Sequence, residues 1–204
     1  MSHDSTTVES SVPPVLALNV QSVRLTDEQF EKLCWDNPDL RIELTSRGEL
    51  IVMPPTGLET GWRNSILTHR LTEWAQRDGS GLAFDSSTLF TLPDGSKRSP
   101  DASWIRRERV QQLSKKERKG FALIAPDFVI ELRSPSDRRS VLEEKMLDYI
   151  GNGVRLAWLI DPEAMRVFVY RPTQAVEALD NPTTISAEPE LPGFILNVQE
   201  IWEA

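Results

Sequence analysis

The stretch from Pro126 to Pro135 constrains this chain more than any other. It encloses Asp127-Phe-Val-Ile-Glu-Leu-Arg133, a strongly apolar extended segment with a proline on either side. Strand side chains alternate between faces, so Phe128, Ile130 and Leu132 share one face and Val129, Glu131 and Arg133 the other. Both faces carry apolar residues, which is the pattern of a strand covered above and below. A carboxylate in such a strand loses most of its hydration, at a cost that a cation or strong donor must offset. Glu131 is therefore either a functional acid or one half of a structural ion pair with Arg133.

Helix and strand signals surround this segment in alternation. Thr26 to Trp35 reads as a short helix, with Thr26 and Gln29 spaced as a capping box. Arg41–Leu44 and Glu49–Met53 read as a hairpin turning at Gly48. Thr56 to Arg77 predicts a long amphipathic helix with Trp62, Ile66, Leu67, Leu71 and Trp74 on one side, ended by Gly79. Strands follow at 82–84, 88–92 and 99–105, then a charged helical stretch from Arg107 to Lys119. After the central strand comes a helix from Arg138 to Ile150 and a hairpin made of 156–160 and 166–170. Residues 172–192 look loop-rich, and 194–202 close the unit. Residues 1–20 read as a flexible tail and 21–204 as one α/β (α+β) domain, a mixed sheet flanked by helices.

Composition narrows the chemistry. The single cysteine, Cys34, rules out a disulfide framework within the chain and argues against a cysteine zinc site; its apolar neighbours suggest packing. With only two histidines, His3 and His69, a metal here would be a hard cation held by oxygens. The formal net charge of −8 counts against a broad phosphate-binding surface. Residues 1–11 lack the basic start and apolar middle of a secretion signal, and no stretch is apolar enough to span a bilayer, so the expectation is a cytoplasmic protein without a membrane partner.

Three further polar residues stand out. Asp101 follows Pro100 at the start of an extended segment, where a plain turn aspartate is an equally good reading. Lys145 falls inside the apolar arc of Val141, Leu142, Met146 and Tyr149, where it either meets an anionic partner or runs its long stem out to solvent. Glu59 falls in the arc of the long helix, yet Thr56 and Glu59 also spell a capping box, which is the favoured reading.

The order of these pieces carries a resemblance. Arg41-Ile-Glu-Leu, Gly48-Glu-Leu-Ile-Val-Met-Pro-Pro-Thr and Ser99-Pro-Asp-Ala-Ser-Trp come first. Pro126-Asp-Phe-Val-Ile-Glu-Leu-Arg-Ser-Pro-Ser-Asp, Lys145-Met-Leu-Asp-Tyr-Ile-Gly-Asn-Gly-Val and Ala157-Trp-Leu-Ile-Asp-Pro follow. Together, from about Thr26 to Trp202, they resemble the PD-(D/E)XK nuclease superfamily, and within it the Uma-two family of restriction-endonuclease-like proteins.

The resemblance implies a restriction-endonuclease-like fold and a metal-dependent endonuclease. Asp101 matches the PD element and Glu131 the acid of the (D/E)XK element. These two, with the backbone carbonyl of Leu132, would bind Mg²⁺, with Mn²⁺ able to substitute. Arg133 stands where the superfamily has lysine; it can neutralise a phosphate but is a poor base. Lys145 matches a helix lysine of this branch and would orient water or stabilise charge. Glu59 would be an extra acid, bringing a second metal, and Glu43 is a weaker candidate. DNA is the implied substrate, and a homodimer would pair two sites for double-strand cleavage. Two other readings stay open: a catalytically inactive interaction module for nucleic acid or protein, and a hydrolase of small phosphorylated substrates. No Gly-x-Ser-x-Gly elbow and no P-loop is present.

Overall fold

The computed structural model describes residues 15–204. The elements run β1 (Leu16–Asn19), α1 (Asp27–Asp36), β2 (Arg41–Leu44), β3 (Glu49–Met53), α2 (Leu58–Asp78), β4 (Gly81–Asp85), β5 (Phe90–Thr91), β6 (Lys97–Arg98) and β7 (Ala102–Arg106). They continue with α3 (Arg107–Gln112), a 3₁₀ turn at Glu117–Lys119, β8 (Phe128–Leu132), α4 (Arg139–Gly151), β9 (Leu156–Asp161), β10 (Arg166–Tyr170), β11 (Glu177–Asp180), β12 (Thr184–Ser186), β13 (Ile195–Asn197) and α5 (Gln199–Trp202).

The central six-stranded sheet has the order β11-β10-β9-β8-β7-β4. Its single parallel pair is β8 with β9, joined through α4 as a parallel connection requires. The proline-bounded segment is β8, and all five of its residues are buried. Its alternation sorts the core. Phe128, Ile130 and Leu132 pack with Leu67, Leu71 and Trp74 of α2, and with Phe194. Val129 faces the other way, with Leu142, Met146 and Tyr149 of α4. The mixed sheet is thus covered by α2 on one side and α4 on the other.

A second sheet, of order β1-β3-β2-β6-β5, stands beside it around Phe30, Ile42 and Leu50. The Thr26 capping box forms, with the Thr26 hydroxyl accepting from Gln29 N–H at 3.2 Å and Gln29 accepting from Thr26 N–H at 2.9 Å. Gly48, at φ +78°, turns the β2–β3 hairpin in a conformation that L side chains rarely adopt.

Several expectations change. Leu16–Asn19, read as part of the tail, pair antiparallel with β3; residues 1–14 of that tail lie outside the described residues. Helix α2 is capped by Gly57 without a side-chain hydrogen bond, so Thr56 and Glu59 form no capping box. Trp62, expected on the buried side of α2, is 60% exposed, and Val141 of α4 is 58% exposed. The arginines on the inner arc of α2 bind the chain's last helix instead. Arg63 donates to the carbonyls of Ile201 and Ala204, and Arg70 forks onto Glu200. The stretch 107–119 is broken into α3 and the 3₁₀ turn, and 172–192, read as loop, contains β11 and β12. Cys34 is only half-buried. No helix among the described residues is long and apolar enough to cross a membrane.

Candidate active site

Where β7 begins, the sheet opens onto a cavity of about 520 Å³. The register that pairs Ala102 with Ile130 brings Asp101, just before β7, to the Glu131–Leu132 end of β8. Asp101 Oδ2 accepts the Leu132 backbone N–H at 2.8 Å, which fixes the carboxyl against the strand. Its Oδ1 accepts from the Asn64 amide of α2 at 3.2 Å. Asp101, Glu131, Leu132, Asn64, Glu59 and Lys145 all line this one cavity.

Glu131 points to the α4 side of the sheet, as strand alternation requires, and is 4% exposed. Lys145 Nζ stands 2.8 Å from its Oε1, and Tyr149 Oη donates to the same oxygen at 2.8 Å. Residues 145 and 149 are one helical turn apart, so a single face of α4 delivers both donors. Lys145 does not run out to solvent: its other partner is Glu43 Oε1 of β2, at 3.0 Å. Glu43 is itself 2% exposed and also accepts from Arg98 at 3.2 Å and from Ser99 N–H at 2.9 Å. Arg98 reaches on to Asp148 of α4 at 2.8 Å. A buried chain of charge therefore ties the second sheet to α4 and to the central strand.

The protonation balance follows from burial and neighbours. Burial pushes the Glu131 carboxyl up to about 7; Lys145 opposes this, while the nearby Asp101 and Glu43 reinforce it. Burial likewise raises Asp101, partly countered by the Leu132 N–H and Lys145. Burial works against the charge of Glu43 too, but Lys145, Arg98 and the Ser99 N–H outweigh it and hold that carboxyl below the usual range. Burial opposes the Lys145 cation, yet Glu131 and Glu43 together raise its pKa. The Tyr149 hydroxyl lies well above its ordinary range because of burial and the two glutamates. Two acids that burial holds back from ionising line one cavity, an arrangement that suits a site completed by positive charge.

Two other sequence candidates, Arg133 and Glu59, form their ion pairs elsewhere. Arg133 pairs with neither Glu131 nor the cavity: its Nη1 meets Asp161 at 3.0 Å and Glu163 at 3.2 Å. Asp161 is almost wholly buried and Arg133 neutralises it, which corrects the alternative of a Glu131–Arg133 pair. Glu59 sits at the cavity rim with its side chain 79% exposed and a loose contact to Arg63 at 3.6 Å. Among the described residues no group of three or more His, Cys, Asp or Glu is arranged to hold a metal, and Glu59 lines the cavity that Asp101 and Glu131 share. Sequence reading underrated Glu43 and passed over Asn64 and Tyr149. For Tyr149 a signal existed: a hydroxyl in an apolar arc, four residues after the anomalous lysine.

Mg²⁺ takes oxygen ligands and is commonly held by one or two carboxylates with water and other oxygens. Asp101, Glu131, Leu132 and Asn64, which carry oxygen donors of that kind, line one cavity.

A family model described as "Uma2: Putative restriction endonuclease" matches residues 27–199. Among solved structures, the chain is similar to a crystal structure of a "putative nuclease belonging to DUF820" from Anabaena variabilis ATCC 29413, with a TM-score of 0.74 and 24% identity. That match covers 88% of this chain and 98% of the other, and shows a shared fold. No curated protein matches the chain.

Proposed function

The chain belongs to the Uma2 family, and on that premise we propose that its cavity is the centre of a metal-dependent endonuclease acting on DNA. The observation that carries this reading is the convergence of Asp101, Glu131 and Lys145 on one cavity from the start of β7, from β8 and from α4.

Asp101, Glu131 and the Leu132 carbonyl would hold a Mg²⁺ ion, for which Mn²⁺ can substitute. When bound, such an ion supplies Lewis-acid chemistry: it lowers the pKa of water and draws charge from a phosphodiester. The chain's own residues do the rest. The Leu132 N–H and the Asn64 amide keep the Asp101 carboxyl in one orientation. Tyr149 and Lys145 hold Glu131 by Oε1, and no hydrogen bond among the described residues falls on Oε2. Lys145 is the strand lysine of the superfamily supplied from a helix, and its ammonium stabilises negative charge building on the phosphate oxygens. Glu43, held ionised by Arg98 and Ser99, positions that lysine at the cavity wall. Cleavage of both strands calls for two such centres, so the working unit is read as a homodimer.

Plasmid nicking with Mg²⁺ or Mn²⁺ tests this directly. Cleavage should vanish with EDTA and in Asp101→Ala. Cleavage that survives both removes the metal mechanism. Salt-sensitive DNA binding without any cleavage favours the interaction module, a reading that Arg133 at the usual lysine position and the net charge of −8 also favour.

A further inference from the structure

We infer that Asn64 supplies a neutral third side-chain oxygen to the cation held by Asp101 and Glu131, an inference that rests on the metal-dependent reading above. Asn64 projects from α2, an element that otherwise contributes apolar side chains to the core and two arginines to the chain's last helix. It lines the same cavity as both carboxylates. Its Nδ2 donates to Asp101 Oδ1 at 3.2 Å. Asp101 accepts at this contact, so the amide turns its NH₂ group to Asp101 and its oxygen elsewhere. That oxygen, Asn64 Oδ1, is buried and meets no hydrogen-bond donor among the described residues.

A buried amide oxygen without a partner is costly, and in native proteins such an atom marks a place where a water or an ion belongs. A leucine of nearly the same shape would fill this position without that cost. The choice of an amide also suits the charge balance. Asp101 and Glu131 already bring two carboxylates to the cavity, and the one lysine beside them, Lys145, is shared between Glu131 and Glu43. A third carboxylate would add repulsion in the metal-free protein, whereas an amide adds an oxygen and no charge. The same side chain thus does two things: its nitrogen orients Asp101, and its oxygen enlarges the donor set beyond two carboxylates.

The two roles can be separated with Asn64→Leu and Asn64→Asp in the full chain. Both variants lose the N–H donated to Asp101, but only the aspartate keeps an oxygen. Mn²⁺ is titrated calorimetrically into each, with circular dichroism and metal-free thermal unfolding reporting the fold; Asn64→Ala replaces the leucine variant if that one does not fold. The expected result is an affinity about 10–100-fold weaker for Asn64→Leu, with Asn64→Asp binding at least as tightly as the wild type. Wild-type affinity in a folded Asn64→Leu overturns the inference. Equal weakening in both variants also overturns it, leaving Asn64 only as a hydrogen-bond partner of Asp101. A wild-type chain that binds no Mn²⁺ removes the metal-dependent reading together with this one, whereas binding lost in Asp101→Ala but intact in Asn64→Leu removes Asn64 alone.

Discussion

Tyr149 donates its hydroxyl to Oε1 of Glu131 at 2.8 Å, across the interface between helix α4 and the central strand β8. The tyrosine is fully buried, so its ring packs as a core residue while its tip serves the acid. Tyr149→Phe keeps the ring and removes one donor from a buried carboxyl. The expected loss is about 1–3 kcal/mol in urea unfolding, together with weaker Mn²⁺ binding. A variant as stable as the wild type, with the same affinity, shows that the hydroxyl contributes nothing.

Protonation of Glu131 should be visible in the pH dependence of stability. Its pKa rises from 4.5 to about 7 on folding, chiefly through burial. The folded state therefore holds the proton more tightly, and this stabilising contribution is full below pH 4.5 and is lost as pH rises through 7. Glu43, whose carboxyl is lowered, has the opposite sign and loses its contribution as pH falls. In metal-free protein, unfolding free energy should fall between pH 4.5 and 7 more steeply in the wild type than in Glu131→Gln. Parallel profiles in the two proteins would contradict the assignment.

Arg133→Ala should damage the fold rather than the chemistry. It strips the guanidinium from the buried Asp161, which costs on the order of 3 kcal/mol when one partner of a buried pair is removed. Denaturation should show that loss, while nicking by the protein that remains folded continues with the same Mg²⁺ dependence. Wild-type stability with abolished cleavage would return Arg133 to the site.

Lys145 is shared by Glu131 and Glu43, so its removal leaves two buried carboxylates without their common cation. Lys145→Met is expected to cost roughly 3–5 kcal/mol. Adding Glu43→Gln should recover part of that loss, because one uncompensated charge disappears. Unfolding measurements on the two single variants and the double variant decide it: strictly additive losses mean the pair is not coupled.

Much of the centre was legible before any coordinates. Strand alternation placed Glu131 opposite Phe128, Ile130 and Leu132, and helical spacing placed Lys145 on the buried arc of α4. Both follow from local geometry, because a period of two or 3.6 residues fixes a side chain's face wherever the element packs. The Thr26 cap and the Gly48 turn are local in the same sense.

Partner choice was not local. Arg133 shares a strand face with Glu131, yet its long side chain reaches Asp161 on the neighbouring strand β9, which only the parallel pairing of β8 with β9 brings within range. Glu43 meets Lys145 across 102 residues of sequence, and Asn64 meets Asp101 across 37. The sequence by itself determined which face of β8 carries Glu131 and that Lys145 shares a helix face with Leu142, Met146 and Tyr149, while the burial of that lysine and the exposure of Val141 were left to the packing. The tertiary structure decided which charges compensate which, because burying an ion is tolerated only beside a specific partner, and partners are set by the packing of distant elements.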